Sequence, residues 1–373
     1  MAPSNNKKHR VLIVDDSAFM RKVLENIFNA DDQLTVAGHA KDGREAVSLA
    51  ESLKPDVITM DINMPHVDGL QATAEIMTTN PRPIVIVSSE SKEGAASTLK
   101  ALELGAIEFV AKPSSGVDLD MQSVKDDLLR KVRMAAKVRV VRTASRLAST
   151  VQSSGATPAA KPATRPTPAS SGLDQKFPVV VLAASTGGPA TVMRLAPGFT
   201  RDFPAAVILV QHMPAAFTTQ YAAQLAEFTG IRVKEAETNE FLQPGTLYIC
   251  PGSHHLRVTP NGRIQLDGST GRINGYLPNI DATMETVAAY AGAMSIGAIL
   301  TGMGNDGTAG AKAIKAAGGL VLAQDEATCV IFGMPAEAIK AGFVDQVLGI
   351  DDIYSAIEKR VIGICRTTPV GVR

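Results

Sequence analysis

Three polar side chains that together can make a hydroxyl nucleophilic each stand directly behind a short apolar run. Residues 178–184 end in Ser185-Thr186-Gly187-Gly188, residues 205–210 in Gln211-His212-Met213-Pro214, and residues 297–301 in Gly302-Met303-Gly304-Asn305-Asp306-Gly307. A histidine beside a serine takes its proton, and a carboxylate beside the histidine fixes the imidazole tautomer and stabilises its charged form. Small residues around Ser185 permit a tight strand-to-helix turn and bring backbone N–H groups of a helix start near developing negative charge. The chain order Ser…His…Asp and the local text Ala-Ala-Ser-Thr-Gly-Gly differ from an α/β-hydrolase, which runs Ser…Asp…His behind a Gly-x-Ser-x-Gly elbow.

A second constellation lies nearer the N-terminus. The first, third, fourth and fifth apolar runs there end in Asp15-Asp16, in Asp61 (followed by Ile62-Asn63-Met64-Pro65), in Ser88-Ser89 and in Lys112-Pro113. Crowded carboxylates repel, and a hard cation such as Mg²⁺ relieves the repulsion through oxygen ligands. One carboxylate can also act as a nucleophile and become an aspartyl-phosphate, with Ser88 and Lys112 meeting the phosphoryl oxygens.

Taken singly, each piece has a plainer account. An Asp after a strand is often a helix N-cap, as Asp306 also could be in a Gly-rich turn. Ser-Thr-Gly-Gly could cradle a phosphate at a helix start. His212 could be a buried, hydrogen-bonded histidine, and Phe109 a core phenylalanine. It is the joint occurrence at strand ends that favours chemistry, because open α/β sheets build their sites there. His254 and His255 read as exposed loop residues without a role.

The elements needed to position these groups are legible as alternation. Strand-like and helical patterns take turns from HRVLIVDD to EFVAKP, and FPVVVLAAS, AAVILVQHM, GAILTG and GLVLAQD suit buried parallel strands. The fold class is therefore α/β in two parts: a flavodoxin-like N-terminal part at residues 9–127 and a doubly wound, Rossmann-like parallel sheet at 176–366. Between them, residues 128–175 form a helix and an Ala/Ser/Pro-rich linker; the stretch 142–175 has no acid before Asp174 and cannot bury a core. The Gly/Pro-rich stretch 240–275 reads as an irregular loop or hairpin.

Composition removes other classes. The 373 residues carry 37 Lys+Arg and 37 Asp+Glu, so the net charge of zero gives no pull toward nucleic acid or anionic membrane. With no Trp and 4% aromatic residues, a base-stacking platform is not expected. No apolar run reaches the ~20 residues of a membrane helix. No secretory signal opens the chain, and three distant cysteines fit a reducing compartment, so a cytoplasmic location is expected. The absence of Gly-x-x-x-x-Gly-Lys-Ser/Thr counts against an NTPase. A non-catalytic response regulator and a transcription factor remain as competing classes; the latter lacks a basic C-terminal patch and a short helix-turn-helix block.

The N-terminal order Asp-Asp, Asp, Ser, Lys resembles the receiver domain of two-component response regulators over residues 9–118. The resemblance implies Asp61 as phosphoacceptor, Asp15, Asp16 and Asp61 with the Asn63 backbone as Mg²⁺ ligands, Ser88 and Lys112 as switch pair and Phe109 as aromatic switch residue. The strings AASTGG (183–188), VQHMP (210–214), VKEAE (233–237), ILTGMGNDG (299–307) and IFGMPAEAI (331–339) resemble the chemotaxis protein-glutamate methylesterases, the CheB family. That resemblance implies Ser185 as nucleophile, His212 as general base, Asp306 as orienting carboxylate, and Thr186 and Met303 lining the site, with the Met303 backbone as oxyanion donor. It implies no cofactor for the esterase, methylated chemoreceptors as substrate, receptor glutamines as possible deamidation targets, and a chemotaxis histidine kinase as phosphodonor. The unphosphorylated receiver is expected to cover the esterase cleft. Two departures stand out: Ala183 where the family usually has Gly, expected to narrow the turn, and Leu277-Pro278-Asn279-Ile280-Asp281 where it commonly reads Arg-Pro-Ser-x-Asp.

Overall fold

The computed structural model describes residues 8–88, 92–112, 118–138 and 176–367. The linker stretch 142–175, Ser89 and Pro113 lie outside the described residues.

The first part is a five-stranded parallel sheet built from β1 (His9–Val14), β2 (Leu34–Ala40), β3 (Val57–Met60), β4 (Ile84–Ser88) and β5 (Glu108–Ala111), in the order β2-β1-β3-β4-β5. Helices α1 (Ala18–Asn29), α2 (Gly43–Leu53), α3 (Gly69–Thr79), α4 (Lys92–Glu103) and α5 (Asp118–Ala135) follow the strands in turn. Helix α5 runs straight through residue 127, so the packed part extends beyond that position. The three hydrophilic starts Ser17, Asp42 and Asp68 cap α1, α2 and α3 by accepting a backbone N–H three residues on.

The second part is a seven-stranded parallel sheet. Its strands are β6 (Val179–Ala184), β7 (Ala206–Gln211), β8 (Arg232–Glu235), β9 (Thr246–Ile249), β12 (Ser295–Ile299), β13 (Leu320–Gln324) and β14 (Gln346–Leu348), ordered β14-β13-β12-β6-β7-β9-β8. A separate antiparallel pair, β10 (His255–Val258) and β11 (Ile264–Asp267), stands beside it. The principal helices here are α6 (Gly188–Leu195), α7 (Ala215–Glu227), α8 (Ile280–Ala291), α9 (Thr308–Ala316), α10 (Met334–Lys340) and α11 (Ile350–Thr367).

The alternation of β6 explains its central place. Val180, Leu182 and Ala184 join one apolar cluster, and Val179, Val181 and Ala183 join the cluster on the opposite face. Full burial of each Val or Leu contributes about 1.5–3 kcal/mol. The methyl of Ala183 therefore points into a core, and it does not narrow the turn at Ser185. The stretch 240–275 is also more ordered than its composition suggests: it supplies β9, which pairs with both β7 and β8 inside the sheet, and the β10–β11 hairpin. Its four-residue apolar run is too short to stand out from flanking Gly and Pro. His255 lies on β10 and is fully buried, not exposed.

The two parts touch. Helix α4 packs against α7, and Phe109 on β5 meets Phe217 on α7 with ring centroids 4.4 Å apart. Both phenylalanines are buried, within an apolar cluster that also takes in Leu99, Leu102, Tyr221 and Leu225. At the edge of this contact the Gln224 amide donates to Glu103.

Candidate active site

In a doubly wound sheet the crevice opens where the strand order reverses, at the carboxyl ends of the two strands flanking that point. In the larger sheet β6 leads to β7 on one side while β12 flanks it on the other, with Ile299 in register with Ala183. Ser185 follows β6, Asp306 follows β12, and His212 follows β7, where Ala184 pairs with Gln211.

The turn at Ser185 is held from several directions. Its N–H donates to the Thr301 carbonyl at 3.0 Å, and its carbonyl accepts from Gly188 N–H at 2.8 Å and from the Gln211 amide at 2.8 Å. Gly187 starts α6 with φ of 76°, and a Cβ on Gly188 would stand 2.1 Å from Gln211 Oε1. Only glycine fits the second position and glycine is favoured at the first. Thr301 ties the floor together: its hydroxyl donates to the Thr186 carbonyl at 3.0 Å and accepts from Ile331 N–H at 2.9 Å. Ser185 and Thr186 are buried, and Met303 is half-buried. Among the described residues, the backbone N–H groups of Thr186 and Met303 donate to no protein acceptor.

His212 Nε2 lies 2.8 Å from Asp306 Oδ2. This leaves Nδ1 as the ring nitrogen open to another partner. The Ser185 hydroxyl makes no hydrogen bond among the described residues, as is common before a substrate tightens such a relay. Asp306 is 2% exposed and its oxygens are fully engaged. Oδ2 also accepts from Ile280 N–H at 2.8 Å; Oδ1 accepts from the Asn279 amide at 3.0 Å, Asp281 N–H at 3.0 Å and Gly307 N–H at 3.1 Å. The start of α8 thus cradles the carboxylate, where a helix favours negative charge. Asp281 returns the arrangement by accepting Gly307 N–H at 2.9 Å and Gly310 N–H at 2.7 Å at the start of α9. Burial pushes the Asp281 carboxyl up to about 6, with the neighbouring Asp306 carboxylate adding to the rise. Tyr276 stacks on the His212 ring.

The smaller sheet repeats the rule. Its order reverses between β1 and β3, and Asp15, Asp16 and Asp61 follow those strands with carboxylate oxygens within 4.8 Å of one another. Lys112 bridges Asp15 at 2.9 Å and Asp61 at 2.8 Å. Burial raises the Asp61 carboxyl above its usual range, against the opposing pull of Lys112. Burial works to lower the Lys112 ammonium, yet the Asp61 and Asp15 carboxylates outweigh it and leave it raised. Ser88 is buried at the end of β4, with a long 3.4 Å contact to the Gly94 carbonyl. Asn63 is exposed, and its backbone hydrogen-bonds Asp61. Three hard oxygen donors this close suit a small divalent cation.

Five residues around Asp306 and Ser185 carry weight that their positions in the sequence did not announce: Gln211, Tyr276, Asn279, Asp281 and Thr301. The local signals are the adjacency of Gln211 to His212, the Asn-Gly turn before Tyr276, and the place of Asn279 and Asp281 in the segment that departs from Arg-Pro-Ser-x-Asp.

Residues 11–122 match the response regulator receiver domain and residues 180–357 match the CheB methylesterase model. A protein-glutamate methylesterase/protein-glutamine glutaminase of Pyrococcus abyssi is 40% identical over 364 residues, covering 96% of this chain and 95% of that one. The Thermotoga maritima protein of the same description is 42% identical over 342 residues, covering 91% and 94%. Among solved structures, the Thermotoga maritima CheB methylesterase catalytic domain is 40% identical and covers 50% of this chain and 99% of its own, with a TM-score of 0.48. The chain belongs to the CheB family of protein-glutamate methylesterases/protein-glutamine glutaminases that carry a response regulator receiver domain.

Proposed function

We propose that this chain is a chemotaxis methylesterase that hydrolyses γ-methyl esters of glutamate on chemoreceptors, and deamidates receptor glutamines, under control of its receiver domain. The observation that carries this is the 2.8 Å His212–Asp306 pair at the strand ends beside Ser185, in a chain with this family membership.

Ser185 Oγ attacks the ester carbonyl while the His212 Nδ1 takes its proton. The developing oxyanion meets the N–H groups of Thr186 and Met303. His212 then gives its proton to departing methanol, leaving an acyl-enzyme. Water, deprotonated by the same imidazole, attacks the acyl carbon; the glutamate carboxylate leaves, and Ser185 recovers its proton. Asp306 holds the imidazole and balances its charge throughout. No step requires a metal or organic cofactor.

In the receiver domain, Asp61 accepts a phosphoryl group from the phosphohistidine of a chemotaxis histidine kinase. Asp15, Asp16 and the Asn63 backbone, with Asp61, would hold Mg²⁺, which offsets the negative charge gathered by the carboxylates and the phosphoryl oxygens. Ser88 and Lys112 meet the phosphoryl oxygens, and Phe109 carries the change to α7. The division proposed is a receiver that starts at residue 9 and runs to the end of α5 at Ala135, not to 127, then the connecting segment to 175 and the esterase at 176–366.

The test is methanol release from methylated receptor membranes, with and without a small phosphodonor and Mg²⁺. Release that rises with the phosphodonor and vanishes in Ser185→Ala supports the reading. Undiminished release in Ser185→Ala removes the serine from its role, and a rate indifferent to phosphodonor removes the control.

A further inference from the structure

Residues 273–276 read Ile-Asn-Gly-Tyr. Asn274 and Gly275 have φ of 51° and 86°, and Ile273 and Tyr276 exchange backbone hydrogen bonds of 3.0 and 2.9 Å. This is a two-residue turn with both central residues left-handed, the conformation Asn-Gly favours. Its base is pinned where buried His255 Nε2–H donates to the Gly271 carbonyl at 2.6 Å. The turn delivers Tyr276 onto His212: the rings lie 16° from parallel with centroids 4.8 Å apart. The far end of the phenol reaches the loop behind β12. A Cβ on Gly304, whose φ is 93°, would stand 2.0 Å from the phenol oxygen. Glycine at 304 therefore makes room for the tyrosine.

We infer that Tyr276 is a positioning residue for His212, an inference that rests on the esterase mechanism above. Its ring closes one face of the imidazole, so the ring stays in the plane in which Nε2 meets Asp306 and Nδ1 is left for the serine proton. The same π face attracts the imidazolium formed when that proton arrives. The charged side chain bonded to the imidazole among the described residues is Asp306, with Asp281 behind it across Gly307. Stacking thus acts on a face that the carboxylates do not occupy. A stabilisation confined to the charged ring favours the transition state over the resting enzyme, and belongs in kcat.

The test compares Tyr276→Phe with Tyr276→Leu in the full chain. Tyr276→Phe keeps the face and is expected within about twofold of the parent kcat; Tyr276→Leu keeps bulk but loses the face and is expected to drop kcat roughly tenfold with KM unchanged. The His212 ring-proton NMR resonances move downfield in Tyr276→Leu, as the ring current is lost, and stay in place in Tyr276→Phe. Parent kcat in Tyr276→Leu, equal loss in both variants, or a change in KM alone would each overturn the assignment. Those outcomes differ from failure of the esterase mechanism itself, which shows as methanol release surviving Ser185→Ala.

Discussion

Asp306 has every acceptor direction taken, and His212 has one nitrogen engaged by it, so the pair is fixed at the carboxylate end and its second ring nitrogen is left for the proposed serine proton. His212→Ala should reduce methanol release on the order of 10⁴-fold, measured under saturating phosphodonor. A variant near the parent rate would favour a non-catalytic output. Asn279 serves two masters: its amide donates to Asp306, and its oxygen caps α8 by accepting Ala282 N–H at 2.8 Å. Asn279→Asp keeps the cap but sets a second carboxylate against Asp306. It should lower kcat at least tenfold while the thermal midpoint moves by only a few degrees. An unchanged kcat would deny Asn279 any part in holding the relay. Ser185, His212 and Asp306 were legible because each follows an apolar run long enough to read as a strand. The supporting roles of Asn279, Asp281, Gln211 and Thr301 were not, because their partners lie far along the chain and the local text does not say what they bond.

Both sheets put the candidate side chains at the reversal of strand order, where the residue after each strand faces the crevice. Helices α8 and α9 add a device of their own: each has its N-terminus met by a carboxylate from the other's approach, Asp306 for α8 and Asp281 for α9. The exchange has a cost that depends on pH. Asp281 keeps its proton to about 6 in the folded chain because it is half-buried beside the Asp306 carboxylate, against an ordinary value of 3.8. Between those values the folded state binds more protons than the unfolded, so this group's contribution falls as pH rises from about 4 to about 6 and is level above. Asp281→Asn should flatten that part of the curve of denaturant midpoint against pH, relative to the parent. Superimposable slopes would place the titration elsewhere. Sequence patterning found the long strands but did not read β8, β9 and α8, nor α10, β14 and α11. The first two are four-residue strands among turn-formers, and α8 is buried on so many sides that its apolar stripe is blurred.

That the halves meet was expected from the receiver's role, but the residues of the contact were not legible, since Phe109 and Phe217 are each plausible core residues of their own half. The linker composition showed that the halves are tethered, and nothing in it showed which faces meet. Gln224 donating to Glu103 offers a probe that leaves both cores intact. Gln224→Glu sets like charges together and should raise the unphosphorylated rate of methanol release several-fold, with the phosphorylated rate unchanged. An unaltered basal rate would argue that this face does not restrain the enzyme. Asp61→Asn should hold the enzyme at its basal rate whatever phosphodonor is added, read by the same assay. Helix α7 links the two parts mechanically. It starts three residues beyond His212, and its first turn bears Phe217, the side chain that Phe109 grips. If the receiver restrains the esterase as proposed, the restraint would act on the rod that begins three residues after the imidazole, and a slight roll of that rod would re-aim the base. On the proposed control, output would then be graded like a dimmer, following how firmly the rod is held, with no need for the halves to part completely.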